Sequence, residues 1–248
     1  MTCLLQPFRK QNRRSLFILK SSRAFTLVEL LVVVAILGLL AAVLTPAIQK
    51  ALASGRTGKA TGNLRQIGVL LNTYVSENNN CLPALIKWND MDGTWWQRVL
   101  SESAGLAVKT PKDLERRLVD IFYDPALTKG PHPYGDFGGN QAIMKDYNPW
   151  VPGSEANAKG TSLSVIGSLS KKIVVASAEI PSGVPCEGSW YFQSEWVSQG
   201  NAVTDAKPSA RHGGKALCLF ADGHIEALDT ENMSSADRRK YFLLPQDE

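Results

Sequence analysis

The sequence predicts an α+β protein in which one long N-terminal helix packs on a small antiparallel β-sheet domain. Three observations carry this. Leu30 to Leu44 holds no polar or charged side chain. From Gln49 to Glu77 apolar residues recur at steps of three, four and seven, which marks one face of a helix. Beyond it come β-branched and alternating runs separated by Gly/Pro-rich stretches. The last of these runs flank Asp222-Gly223, a hairpin signal.

The chain has 248 residues, enough for a helix and one domain of ordinary size. Its formal charge of +4 is uneven. Residues 1–24 hold six basic residues (Arg9, Lys10, Arg13, Arg14, Lys20, Arg23) and no acid. Without them 21 Lys and Arg stand against 23 Asp and Glu, a net −2. The remainder is not basic and shows no footprint for nucleic acid. Residues 1–24 read as a basic leader on the cytoplasmic side of an apolar run. A secretory signal peptide cut near Ala41-Ala42-Val43 is the minor alternative.

Residues 25–78 read as the helix, membrane-spanning over about 25–46 and amphipathic beyond. About 20 apolar residues cross a bilayer core, and Leu27 to Ile48 is interrupted only by Glu29, Thr45 and Pro46. Glu29 needs a reason: it either snorkels to the headgroups or meets a partner. Pro46 should kink the helix, because it lacks an N–H and clashes with the preceding turn. The amphipathic half presents Ala53, Ala60, Leu64, Ile67, Leu71, Tyr74 and Val75. Gly55, Gly58, Gly62 and Gly68 each weaken it by about 1 kcal/mol relative to Ala. They mark either a tolerant helix or one that bends in assembly and lets subunits approach. Asn78-Asn79-Asn80 should end it, since Asn tolerates left-handed backbone.

Arg23-Ala24, then Phe25-Thr26-Leu27-Val28-Glu29, then the Leu/Val/Ile run and Pro46, resembles the N-terminal signal of type IV prepilins and type II secretion pseudopilins. The resemblance implies a pilin-like fold and cleavage by a prepilin peptidase between Ala24 and Phe25, followed by N-methylation of Phe25. The family usually has Gly where Ala24 stands; both are small. Glu29 becomes the fifth mature residue and Pro46 the twenty-second. The resemblance gives Glu29 a role in assembly: in low dielectric it can pair with the free amine of another subunit's Phe25. The expected partners are the peptidase, other pilin-like subunits and the bacterial inner membrane. The chain would cross that membrane once, N-terminus cytoplasmic and residues 79–248 exported.

Within 79–248, Cys81 to Thr94 reads as a loop. Asp90 and Asp92 are a fragment of a calcium loop or a solvated turn; otherwise no cofactor is expected. Trp95 to about Ser103 reads as a helix with Trp96, Val99 and Leu100 inward, and Pro111 to Leu118 as another. Val119 to Tyr123 alternates like a strand. Gly130 to Asn140 is too rich in Gly and Pro for a regular element. Leu163 to Leu169 is a short helix or turn. Lys171 to Glu179 is the clearest central strand. Gly183 to Asn201 is irregular and carries Trp190 and Trp196. Cys3 leaves with the leader. Of Cys81, Cys186 and Cys218, the last sits in a predicted strand, so Cys81–Cys186 is the preferred disulfide. No CxxC spacing suggests structural zinc, and no metal site is assigned.

Lys215 to Ala221 and His224 to Leu228 should form a hairpin, with Asp222-Gly223 as a two-residue type I′ turn. His212, nine residues, then Asp222-Gly223 resembles a C-terminal signature of a large group of prepilin-like proteins. Blocks around Cys81-Leu82-Pro83, Trp95-Trp96, Tyr123-Asp124-Pro125 and Tyr134 to Ile143 agree in order. One departure is Asp124, where that group often has Cys. A metal site from His212, Asp222 and His224, with His212 and His224 approaching through the hairpin, is the alternative to a capping histidine and a turn aspartate. Turn chemistry alone accounts for Asp222-Gly223. No nucleophile elbow, phosphate loop or paired-carboxylate helix appears, so the reading is non-enzymatic. The functional expectation is a pseudopilin or minor-pilin-like filament subunit. The alternative is a membrane-anchored, exported ligand-binding or hydrolytic domain using the same anchor.

Overall fold

The computed structural model describes residues 25–89, 92–106, 119–127, 135–153, 160–180, 188–193, 196 and 206–245. The leader with Ala24, Asp90, the expected helix Pro111 to Leu118 and Cys186 lie outside the described residues. The chain divides into two compact units, 1–48 and 49–248. Helix α1, Leu27–Glu77, begins in the first and continues in the second.

In the first unit every described residue is solvent-exposed, including the whole run Leu30 to Leu44. An uncharged helical run with no buried face suits lipid rather than a protein core. It is the one described helix long and apolar enough to cross a membrane. Pro46 does not end α1. It leaves the Ala42 carbonyl without its usual helical donor, while the Thr45 hydroxyl donates to the Ala41 carbonyl at 2.7 Å.

In the second unit α1 buries Ala60, Asn63, Leu64, Ile67, Gly68, Leu71 and Val75. Ala53 is exposed, which corrects the expected stripe. Its seven-residue step matched the period, but every described residue of the helix before Thr57 is exposed. The helix stops at Glu77. Asn79 and Asn80 take φ of 54° and 61°, and Asn80 N–H closes onto the Val75 carbonyl at 3.0 Å.

Strands β1 (Ile86–Asn89) and β2 (Asp92–Trp95) pair antiparallel, where the sequence read as a loop. Asp92-Gly93 looked like a turn, yet Gly93 sits in the ladder opposite Trp88. Helix α2, Trp96–Ser103, follows, with Trp96 and Leu100 buried and Val99 half-buried. The expected strand at Val119 to Tyr123 is a 3₁₀ turn, Asp120–Phe122. Five alternating residues fit either, and burial of Phe122 edge-on against Trp96, centroids 5.7 Å apart, decides it.

The Gly-rich stretch also builds a strand, β3 (Phe137–Asn140). Its glycines are there because neighbours come close. A Cβ on Gly138 would lie 2.6 Å from Ala178 Cβ, and one on Gly139 2.6 Å from Leu85 Cδ1. Helix α3 (Gln141–Met144), strand β4 (Asp146–Tyr147) and helix α4 (Leu163–Ile166) lead to β5, Ile173–Glu179. Strands β6 (Tyr191–Phe192), β7 (Lys207–Pro208), β8 (Ala216–Phe220) and β9 (Ile225–Leu228) follow, then helix α5, Ser235–Phe242.

The main sheet runs β6-β3-β5-β8-β9, with β7 on β5, and a smaller one runs β2-β1-β4. All pairings are antiparallel except β3–β6 and β1–β4. Strand β5 is central, as its sequence indicated. All of β8 is buried because both faces are covered. Leu217 and Leu219 join the core that includes the α1 stripe, while Ala216, Cys218 and Phe220 join a second core with Phe242 of α5. Burial pushes the Cys218 thiol well above its usual range, with Glu226 adding to it. Cys81 is a free thiol.

The packing makes variants at two positions on opposite sides of the helix diverge. Ile67→Ala should destabilise the domain by about 2–5 kcal/mol, whereas Val69→Ala, on the exposed side, should stay within about 0.5 kcal/mol. Urea unfolding of the detergent-solubilised protein measures both. In the same samples Cys218 should resist maleimide until the domain unfolds, because the thiolate is the reactive form.

Candidate functional site

Among the described residues of the first unit, Thr26 and Glu29 form a polar constellation. Thr26 precedes α1 and Glu29 lies in its first turn. The Thr26 N–H and hydroxyl both donate to Glu29 Oε2, at 2.9 and 2.8 Å. The Glu29 N–H reaches back to Thr26 Oγ1 at 3.2 Å. This is a capping box, in which side chains satisfy two orphan donors of the helix start. It gives Glu29 a function that neither snorkelling nor inter-subunit pairing supplied. Thr26 was missed as a functional residue, although its Thr-x-x-Glu spacing ahead of an apolar run is a sequence signal. Phe25 is exposed beside it.

The second unit separates the C-terminal signature. His212 precedes β8, and its side chain is fully buried. Its Nε2 lies 2.9 Å from Asp124 Oδ2, and its Nδ1 lies 3.2 Å from Thr57 Oγ1 of α1. A carboxylate only accepts, so Nε2–H donates to Asp124, while Nδ1 shares its hydrogen bond with the Thr57 hydroxyl. Arg211 approaches the same carboxylate oxygen at 3.6 Å. Its Nε donates to Ser209 Oγ at 2.9 Å, and its far nitrogen donates to the Ala178 carbonyl. Asp136 Oδ2 accepts from the Asp124 N–H at 3.2 Å, and Asp124 Oδ1 from Ala126 N–H at 2.9 Å. Nearly two turns further along α1, Asn63 Nδ2 donates to the Tyr123 carbonyl at 3.0 Å. His212 thus ties the helix to the segment after the 3₁₀ turn. Asp124 was noticed only as a departure from a family pattern. Nothing in its spacing foretold a partner 88 residues away.

Asp222 and His224 stand at the other end of β8, about 17 Å away for a five-residue strand. They bond each other: Asp222 Oδ1 lies 2.6 Å from His224 Nδ1 and accepts from the His224 N–H at 3.1 Å. Burial alone would raise the Asp222 carboxyl, but these bonds and the imidazole charge outweigh it and hold it below the usual range. The turn is not the expected type I′, since of its residues only Gly223 has positive φ, 93°. It is a three-residue loop, Ala221 to Gly223. Gly223 N–H bonds the Phe220 carbonyl at 2.9 Å, and Phe220 N–H bonds the His224 carbonyl at 2.9 Å. This is a type I turn closed by a glycine bulge, which keeps the strand twist while leaving Asp222 in ordinary backbone. His212 does not approach His224, and the metal triad is not formed. Among the described residues no three His, Cys, Asp or Glu side chains gather as ligands.

Residues 19–45 match the family model described as a prokaryotic N-terminal methylation motif. The chain is therefore type IV prepilin-like at its N-terminus, a class of protein processed by prepilin peptidase. The match ends before the domain. No curated protein and no solved structure matches the chain.

The two histidines should behave oppositely. His212→Ala removes a buried hydrogen bond to the Asp124 carboxylate, which keeps Arg211 beside it, and should cost about 1–3 kcal/mol. His224→Ala removes an exposed pair and should cost no more than about 1 kcal/mol. Thermal unfolding of the two variants checks this, and equal losses would mean the buried contact is not a clasp.

Proposed function

We propose that the chain is a pilin-like structural subunit of a type II secretion or type IV pilus-like filament. It is cleaved between Ala24 and Phe25, N-methylated on Phe25, and held in the inner membrane with residues 79–248 exported. The observation that carries this reading is the methylation motif at residues 19–45, set on a helix whose apolar run is wholly exposed. Its mechanism is assembly rather than catalysis. Thr26 occupies Oε2 of Glu29, which leaves Oε1 to receive the Phe25 amine of a neighbouring subunit. An incoming charged amine meets a carboxylate already held in place by its own helix, so little side-chain entropy is lost on pairing. The alternative of a hydrolytic or ligand-binding domain called for His212, Asp222 and His224 to converge. They lie at opposite ends of β8, so that grouping lends it no support.

Intact-mass and N-terminal peptide analysis of membrane fractions should find methylated Phe25. A start at Met1 or beyond Ala42 would overturn the reading. Glu29→Ala should still be cleaved and inserted, because the cut lies upstream and the helix becomes more apolar. It should lose crosslinking to neighbours, because an unpaired buried amine costs about 3–5 kcal/mol. Parent-like crosslinking would remove Glu29 from assembly.

A further inference from the structure

The charges of the second unit are segregated along the chain. Between Glu29 and Glu77 there is no acid, yet that stretch carries Lys50, Arg56, Lys59 and Arg65. All four are exposed, and no described acid forms an ion pair with them. Residues 78–248 are the reverse, with 17 Lys and Arg against 21 Asp and Glu. Their deficit is most concentrated on the C-terminal hairpin and the turn after it. Asp222, Glu226, Asp229 and Glu231 fall within ten residues that contain no Lys or Arg, and all four are exposed.

We propose that the basic stem of α1, Lys50 to Arg65, docks against the acidic hairpin, Asp222 to Glu231, of a second copy of this chain. This rests on the filament-subunit reading and deepens it. Geometry favours a protein over a lipid surface. The stem is about 22 Å long at 1.5 Å per residue, whereas the headgroup layer of one leaflet is only about 5–8 Å deep. A stem standing upright would leave most of its charges beyond the lipid. A stem lying flat would use one side only, but at 3.6 residues per turn Arg56 and Lys59 point away from Lys50 and Arg65. Charges on both sides suit a helix with neighbours on more than one side. Within one chain the hairpin tip is already committed elsewhere. A Cβ on Gly223 would lie 3.3 Å from Asn72 Nδ2, and Asn72 is about 10 Å along the helix from Arg65. A second copy displaced along the helix axis brings its hairpin level with the stem. Complementary fields of this kind set the register and speed of association more than its ultimate strength.

The test uses full-length protein in light and heavy isotope forms, mixed and reconstituted in zwitterionic vesicles. A carbodiimide joins an amine directly to a carboxylate. Mixed-isotope peptides should link Lys50 or Lys59 to Glu226, Asp229 or Glu231. Arg56→Glu with Arg65→Glu keeps both reactive lysines and should lower the multimer yield about tenfold, since like charges then face each other. Adding Glu226→Lys and Glu231→Lys should restore it. The parent's yield should also fall between 0.1 and 1 M NaCl, as the screening length shrinks from about 10 to about 3 Å. Multimers indifferent to the reversal and to salt would overturn the docking while leaving the subunit reading in place. So would stem contacts that form only with anionic lipid. A parent that forms no multimers would overturn both.

Discussion

The domain depends on one contact, the packing of the Leu64, Ile67 and Leu71 stripe of α1 on the face of β8 that carries Leu217 and Leu219. Without it that face of the sheet would lie bare at β8, since Leu85, Trp96 and Met144 reach it at β3 and α5 covers only the other face through Phe242. Gly68 marks how close the elements come: a Cβ there would stand 3.2 Å from Leu219 Cδ1. Strand β5 adapts to the double burial. Its register against β8 shifts between Ile173 and Val175, and Val174 and Val175 consequently both join the α1 core. A bulge of this kind lets two successive residues serve one face. The helix is therefore one of the layers of the domain, and the domain is incomplete without it.

Much of this was legible because it is local or periodic. The apolar run, the three- and four-residue steps from Ala60 to Val75, the Asn triplet and the β-branched strand β5 each announce themselves over a short window. The failures share a cause. Gly138-Gly139 reads as irregular chain, and only the approach of Ala178 and Leu85 explains why a strand there must lack side chains. The pairing of Ile86–Asn89 with Asp92–Trp95 was hidden because Asp92-Gly93 has turn composition while the ladder runs through it. At the hairpin tip the composition was right and the geometry wrong: Asp-Gly serves a type I′ turn and a glycine-bulge turn equally well. At the site, the Thr26–Glu29 box was readable from spacing. The Thr57–His212–Asp124 clasp was not, since its members lie on three elements brought together only by the tertiary fold.

That clasp shows how the fold spends polarity. A buried ionic group seldom adds much net stability, because desolvation offsets most of the attraction. It does penalise every arrangement in which its partners are absent. Apolar stripes tolerate sliding by a turn, since Leu64, Ile67 and Leu71 are chemically alike. Thr57 on His212 and Asn63 on the Tyr123 carbonyl do not tolerate it. The polar contacts thus fix the register of a helix whose apolar contacts supply the binding energy, at the turn of α1 where burial begins.

Ahead of that turn no described residue buries the helix. Every residue from Gln49 to Arg56 is exposed, and a Cβ on Gly55 or Gly58 would meet no atom within 4 Å. Each glycine costs about 1 kcal/mol against Ala in a helix, and isolated helical segments this short are marginal in water. The stretch stays helical because it is continuous with α1 on either side, so its own sequence contributes little to its order. A segment with weak intrinsic helicity, exposed side chains and cations that pair with no described acid is poorly suited to stand alone in solvent. Its composition makes sense when neighbouring subunits cover it: small residues admit a close approach, and the cations choose which surface approaches. The features that weaken the single chain are thus the ones an assembly of copies can use.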